Sequence, residues 1–394
     1  GKPRQSPSGG GGFASAINHT AGADWNNDDG IRHHSAGSNR AGEAPSRRGG
    51  GGGVAEARHN ARDPAQVVAG ILEGLVMSAR DVERRQVLIK RLGVLAKDVC
   101  GSNARLEMFG SSACGLAHVH SDLDLSLAIY ASPSTAMSKN DKTKSLKALL
   151  SHCLRNGMQG KAILQAKTPI IKLYDPVCDV HVDVACPLEG DNAARVSALL
   201  SSIVLVDERF RRLSLLIKWW AKSREINDAS TGTLNSYAYS LLVLYFLVHR
   251  DTHPDTPELP AHTLNSAHLD GSPHALRQTH IVLDGNLLEK WRLGSKKNEA
   301  QEHALLHDLL HEFFVFYSAR FSRAMPGRGA GAVPSTLNNL WIQDPVKKGN
   351  NVAKSVSAKG WAKIVSEFER ARQLLEAGDG LSFLEIMQCT KQRR

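Results

Sequence analysis

The sequence predicts an α+β protein in two folded parts, a small mixed β-sheet with helices followed by a mainly helical part. Three observations carry this. Asp122–Leu127 and Val180–Val184 alternate polar and apolar residues with period two, the pattern of half-buried strands. From residue 207 onward apolar residues recur at helical spacing, as in Phe210, Leu213, Ile217 and Trp220. Residues 1–62 contain few apolar side chains and two glycine runs, Gly9–Gly12 and Gly49–Gly53, and so have little with which to build a core. The expected organisation is a disordered, mildly basic tail over 1–62, a sheet-bearing domain over 63–205 and a helical domain over 206–394.

The first helix is expected after Asp63-Pro64, an N-cap followed by proline at the first helical position. Val67, Val68, Ile71, Leu72 and Leu75 mark its apolar face. A second helix runs through Val87, Leu88, Leu92, Leu95 and Val99. Both are expected to pack on the sheet. A short strand, Leu106–Phe109, precedes the Gly110-Ser111-Ser112 turn. Ala131–Asp141 reads as a loop and Lys142–Arg155 as a helix. Ala162–Lys167, Ile170–Tyr174 and Val180–Ala185 read as strands separated by turn residues. In the second part, Asp207–Arg224 and the stretch from Gly232 to Tyr245 read as helices. Asp251–His280 reads as an insertion loop, His303–Phe316 as a helix, and Ser322–Ser335 as a basic loop bordering a nucleic acid.

Composition bounds the function. The 394 residues, 42% apolar, suffice for two domains. A net charge of +10 and a pI near 9.3 favour a polyanionic partner without choosing among RNA, DNA and an acidic membrane. No apolar run reaches the roughly 20 residues that span a bilayer, so no membrane segment is expected. The six cysteines are scattered without a C-x-x-C pair, which points away from a zinc site or a disulfide framework. That fits an intracellular, reducing compartment, with the cytoplasm as first choice and mitochondrion and nucleus left open. The chain begins at Gly1, so an upstream targeting segment also stays open.

The chemistry centres on residues 109–129. In a strand, residues i and i+2 share a face, so Asp122 and Asp124 stand together while Leu123, Leu125 and Leu127 enter a core. Adjacent carboxylates repel, and a hard divalent cation such as Mg²⁺ relieves the repulsion. Backbone amides of the Gly110–Ser112 turn are suited to holding a phosphate. Asp183, on the second alternating strand, joins Asp122 and Asp124 if the two strands pair. On the helix at 207–224, Lys218 and Lys222 are four apart and share a stripe that suits a triphosphate. His303, His307 and His311 share another helix face. A polar helix face is the preferred reading there and a metal site the alternative.

These residues, in this order, resemble the nucleotidyltransferase superfamily that includes DNA polymerase beta. Its pattern is an apolar residue, Gly-Ser, a gap of about ten residues, then Asp-apolar-Asp. The third carboxylate of that pattern falls on Asp183, followed by Cys186-Pro187. Further matches narrow the resemblance to the terminal RNA nucleotidyltransferases, the poly(A) polymerases and terminal uridylyltransferases. They are Lys218-Trp219-Trp220-Ala221-Lys222, Ser236-Tyr237, and Asp344-Pro345 with Asn351 in the motif of the PAP-associated domain. The resemblance spans roughly residues 65–370. It implies a nucleotidyltransferase domain, a helical PAP-associated domain and two Mg²⁺ or Mn²⁺ ions held by Asp122, Asp124 and Asp183. It implies nucleotide contacts from Gly110, Ser111, Ser197, Lys218, Lys222, Ser236, Tyr237, Asp344 and Asn350, with Tyr237 stacking on the base.

The implied reaction is template-independent addition of AMP or UMP, from ATP or UTP, to an RNA 3′ end with release of pyrophosphate. Three positions depart from the family pattern. Val196 stands where relatives often have Asn near the ribose, although Ser197 matches. Lys347 replaces a Glu. Asn350 stands where uridylating relatives often have His, which leans the reading towards ATP, with a terminal uridylyltransferase as the alternative. A nucleotidyltransferase acting on small molecules and a catalytically silent RNA-binding scaffold are the readings of other classes. No RNA-recognition domain is visible, so RNA choice is expected to come from a partner protein or from surface charge.

Overall fold

The computed structural model describes residues 63–129, 138–165, 168–187, 192–252, 279–281, 306–323, 340–376 and 380–387. The tail expected over 1–62, His303 and most of the loops expected over 131–141, 251–280 and 322–335 lie outside the described residues.

Helix α1 (Pro64–Leu75) starts as the sequence predicts, with the Asp63 carboxylate accepting from the Ala65 amide at 3.0 Å. Helix α2 (Ala79–Cys100) opens with a reciprocal capping box between Ser78 and Asp81. The Ser78 hydrogen bonds, then Arg84, hold the Asp81 carboxyl down at about 2. Strand β1 (Ala104–Met108) leads into a one-turn helix, α3 (Gly110–Ala113), and β2 (Leu123–Ile129) follows. Helix α4 spans Lys139–Arg155, three residues longer at its start than expected. Ser138 caps it by accepting from the Asp141 amide at 3.2 Å.

Strands β3 (Gln159–Ile163), β4 (Ile170–Asp175) and β5 (Val180–Ala185) complete a sheet of order β1-β2-β5-β4-β3. Within this sheet only β2 and β5, among the described strands, pair in parallel. β3 lies earlier than the expected 162–167. Its Gly160 sits where a Cβ would run into the Lys172 carbonyl, so close backbone approach excludes a side chain from a position that then looks unlike a strand.

Helix α5 (Ala193–Val204) has no counterpart among the expected elements, although Val196, Leu199, Leu200 and Ile203 recur at helical spacing. Helix α6 (Glu208–Ser223), capped by Asp207, a short 3₁₀ turn (Ala229–Thr231) and α7 (Ser236–Thr252) follow. Strands β6 (Thr279–Ile281) and β7 (Leu340–Ile342) form a parallel pair. Helices α8 (Leu306–Arg323), α9 (Ala358–Glu376) and α10 (Gly380–Met387) complete the described elements. Among the described residues no helix is long and apolar enough to cross a membrane.

Two apolar cores result. One lies between the sheet and helices α2 and α4, built from residues such as Leu88, Leu92, Leu125, Leu146 and Val184. The other is helical and gathers Trp220, Tyr239, Phe313, Phe314 and Phe368. Helix α1 contributes Val68 and Leu75 to the helical core and contacts α6, α8 and α10, whereas the sequence reading packed it on the sheet. Amphipathic spacing shows that a helix has a buried face but not which core covers it.

Trp220 is fully buried, with ring centroids 4.8 Å from Phe314 and 4.9 Å from Phe368. Trp220→Ala is expected to lower the unfolding free energy by about 3–5 kcal/mol, as large aromatic deletions do. Urea denaturation followed by circular dichroism measures it, and a loss under about 1 kcal/mol would mean the core collapses around the hole.

Candidate active site

The sheet register brings the carboxylates together. Because β2 and β5 run parallel, Asp124 lies directly beside Asp183. On the other side of Asp183 lies Lys172 of β4, whose Nζ donates to Asp183 Oδ2 at 2.6 Å. Asp122 directly precedes β2 and is exposed. Burial, then repulsion from Asp183 and Asp122, pushes the Asp124 carboxyl up to about 6, against the pull of Lys218 and Lys172. For Lys172, burial opposes the charge, but the Asp183 partner outweighs it and the ammonium is held above its ordinary value. Period-two alternation in Ile170–Tyr174 would have placed Lys172 on the polar face, but its meeting with Asp183 depends on the strand order.

These donors fit a hard divalent cation. They are carboxylate oxygens, they crowd one another, and burial, then the crowding, raises one of them to about 6. Among the described residues no three acidic, imidazole or thiol groups already form a closed cage. Asp183 spends an oxygen on Lys172 instead. His307 Nε2 lies 3.0 Å from Asp308, and the described part of the histidine face gathers no metal set.

The Gly110 turn is built around Asp124. Gly110 has φ +62°, and a Cβ there would stand 2.7 Å from Asp124 Oδ2. Its amide donates to Ser197 Oγ at 2.8 Å, and the Ser197 hydroxyl donates in turn to the Ala193 carbonyl at 2.8 Å. Ser197 is therefore buried and committed to holding the turn from α5. The Ser111 carbonyl accepts from the Leu116 amide at 3.2 Å.

Lys218 and Lys222 share a face of α6, as their spacing predicts, and both reach the loop between the turn and β2. Lys218 Nζ donates to the Leu116 carbonyl at 2.5 Å, and Lys222 Nζ to the His120 carbonyl at 3.1 Å. Lys218 is buried, and burial pulls its ammonium down to about 8 despite the nearby Cys114 and Asp124. His120 stacks on Trp219 at 5.1 Å between ring centroids. Burial and the neighbouring lysines hold His118 at about 3, so its ring is neutral and its Nδ1 accepts from the His120 amide.

A second cluster joins α7 to the loop after β7. Tyr237 donates its hydroxyl to Asp344 Oδ1 at 3.1 Å, and Asn350 Nδ2 donates to Asp344 Oδ2 at 2.9 Å. Asp344, buried, also accepts from the Val346 and Lys347 amides. Burial, then Asp344, raises the Tyr237 hydroxyl far above its ordinary range. Asn351 braces the loop, accepting from the Ile342 amide and donating to the Leu340 carbonyl. Ser236 stands outside this network and bonds Asn227 at 3.0 Å.

The contact between Gly110 and Asp124 gives a direct test. Gly110→Ala adds a strained positive φ and displaces the Asp124 carboxylate by roughly an ångström, a misplacement that typically costs about a hundredfold in rate. The expected result is a folded protein by circular dichroism with kcat reduced on that scale. A wild-type kcat would show that the approach of the turn to Asp124 does not matter.

The family model for the central palm domain of the mitochondrial-like poly(A) RNA polymerases matches residues 66–204. Terminal uridylyltransferase cid1 of Schizosaccharomyces pombe is 29% identical over 330 residues, 76% of this chain and 76% of the relative. Poly(A) RNA polymerase GLD2 of Homo sapiens is 32% identical over 271 residues, 65% of this chain but 52% of its own length. Among solved structures, a histidine-to-asparagine variant of the Cid1 poly(U) polymerase bound to MgATP superposes with a TM-score of 0.55 at 28% identity, covering 79% of this chain and 94% of that one. With carboxylates, turn and paired lysines in one place, the chain is similar to the poly(A) polymerases and terminal uridylyltransferases, and its residues 66–204 match the central palm domain of the mitochondrial-like poly(A) RNA polymerases.

Proposed function

We infer that this chain adds nucleoside monophosphates to RNA 3′ ends without a template, taking them from a ribonucleoside triphosphate and releasing pyrophosphate. The observation that carries the reading is the side-by-side placement of Asp124 and Asp183 on parallel strands, with Asp122 just before the first of them. Catalysis in this family depends on metal. The three carboxylates suit two Mg²⁺ or Mn²⁺ ions, which supply charge stabilisation at the attacking and leaving oxygens. Asp122 and Asp124 would hold both, and Asp183 the one nearer the RNA 3′-hydroxyl.

The other residues bind and orient. Ser111 and the turn would face phosphate oxygens, with Gly110 giving the backbone room beside Asp124. Lys218 and Lys222 would neutralise triphosphate charge once drawn from the Leu116 and His120 carbonyls. Tyr237 would stack on the base, its hydroxyl anchored on Asp344. Ser197 serves the site through the Gly110 amide, and Ser236, at the start of α7, through its bond with Asn227.

We favour ATP, with UTP as the alternative. Asn350 presents an amide at the position where uridylating relatives often carry histidine, and an amide leaves more room for a purine. The histidine-to-asparagine form of Cid1 that holds MgATP supports this reading. The net charge of +10 supports RNA as the polyanionic partner, with a partner protein or surface charge selecting among RNAs. The free thiols of Cys100, Cys114, Cys153, Cys178 and Cys186 support a reducing intracellular compartment, the cytoplasm first.

The founding test incubates purified protein with a labelled short RNA, each ribonucleotide separately, and Mg²⁺ or Mn²⁺. Extension with ATP, lost in Asp124→Ala while circular dichroism stays native, is the expected result. Extension that survives that change at the wild-type rate would remove the carboxylate mechanism.

Base choice has its own measurement. Asn350→His is expected to move the ATP-to-UTP ratio of kcat/KM towards UTP by about tenfold, the scale of one hydrogen bond gained or lost at a base edge. An unchanged ratio would place base choice elsewhere, with Lys347 the next residue to test.

A further inference from the structure

Between the Gly110 turn and β2 the chain makes an arc, residues 115–121, without regular structure of its own. Its carbonyls are taken up by cationic side chains. Arg211 Nε donates to Gly115 at 3.2 Å, Lys218 to Leu116 at 2.5 Å and Lys222 to His120 at 3.1 Å, all from α6. From the opposite core, Arg85 of α2 sends Nη2 to the carbonyls of Ser121 at 2.5 Å and Val119 at 3.4 Å.

Arg85 is 8% exposed, and its Nη1 has no hydrogen-bond partner among the described residues. Burial acts against its charge, while Asp122, then Asp81, and further off Asp124, act to keep it. A buried guanidinium is expensive to desolvate, so its place beside the arc calls for a reason beyond packing.

The geometry supplies one. The parallel ladder with β5 begins at Leu123, paired with Val182, so it leaves the peptide before Asp122 unsupported. That peptide carries the Ser121 carbonyl, which Arg85 grips. Rotating it would swing the Asp122 carboxylate while Asp124 stayed fixed in the sheet.

We propose that Arg85 is a positioning residue for nucleotide transfer: by holding the Ser121 and Val119 carbonyls it fixes the peptide before Asp122 and aims that carboxylate at the cation site shared with Asp124. The inference rests on the transfer reading above. It concerns a buried residue that acts through the arc carbonyls it holds.

The experiment uses the full chain and three variants, Arg85→Gln, Arg85→Lys and Arg91→Gln. Arg91 lies on the same helix, is partly buried, and binds Asp175 at 3.0 Å and the Asn156 carbonyl, so its loss reports what an ion-paired arginine of α2 contributes to stability alone. Mn²⁺ is titrated calorimetrically into nucleotide-free protein, and kcat and KM for ATP are measured with a short RNA. In Arg85→Gln, Mn²⁺ affinity and kcat are each expected to fall about tenfold or more, the usual cost of losing a residue that orients a metal ligand, with KM for ATP unchanged. Arg85→Lys should recover part of both, because an ammonium can still reach one carbonyl. Arg91→Gln should lower Tm and leave both readouts at wild type.

The opposite signs are available. Deleting a positive charge beside carboxylates would tighten Mn²⁺ binding if Arg85 did no more than supply charge, and unchanged or tighter binding overturns the proposal. Equal losses in Arg91→Gln overturn it as well. If Arg85→Gln does not fold, Arg85→Lys decides: weakened Mn²⁺ binding supports the proposal, and wild-type binding sinks it. Because the titration is read without nucleotide or RNA, its failure and the failure of the transfer reading remain distinguishable.

Discussion

The crowding of like charge around Asp124 is the constraint from which the rest of the sheet face follows. Burial raises the free energy of the ionised Asp124 carboxylate, and the neighbouring Asp183 and Asp122 raise it further. A fold that keeps them there must supply compensation that does not fill the place where a cation and a phosphate belong. Lys172 provides part of it from the neighbouring strand, and Lys218 contributes from behind the arc. Gly110 provides the remaining room by having no side chain at all.

Compensation and precision come from the same groups. A lysine that offsets carboxylate charge while binding a backbone carbonyl also decides where that backbone lies. Lys218 and Lys222 project from a helix of the helical core yet end on carbonyls of the loop leading to β2. The site is thus assembled from both cores, and the aromatic packing around Trp220 is part of what keeps the lysines in register with the strand. At the other cluster Asp344 plays the corresponding part, since one buried carboxylate fixes the Tyr237 hydroxyl, the Asn350 amide and two backbone amides.

The sheet face was legible in the sequence because strand periodicity is local. Leu123, Leu125 and Leu127 announce which side is buried, so Asp124 had to be on the other. Pairing of Asp124 with Asp183 followed only if the two alternating strands were neighbours, which the family pattern implied and the register bears out. What remained hidden depends on tertiary partners. Nothing near Lys172 in sequence names Asp183, nothing near Arg85 names Ser121, and the spacing of Lys218 and Lys222 does not say that carbonyls of residues 116 and 120 would receive them. β3 was displaced for a related reason: a glycine demanded by the Lys172 backbone reads, in sequence, as a break. α5 has helical spacing in its sequence, whereas the bond from the Gly110 amide to Ser197 spans a separation that no local pattern encodes.

The packing of α1 has a consequence for how the chain is made. This helix leaves the ribosome before the sheet does, yet its apolar face belongs to the helical core and to α10, the last element described. Val68 and Leu75 therefore lack their full native cover until α8 and α10 have been synthesised, with α6 supplying only part of it before then. Contacts so far apart in sequence are slow to form, and the exposed stripe is the kind of surface that holdase chaperones bind and aggregation exploits. The sheet domain can reach its own core during translation, but the helix that precedes it must wait, so the vulnerable interval in biogenesis lies at the beginning of the fold and is ended by its last turn.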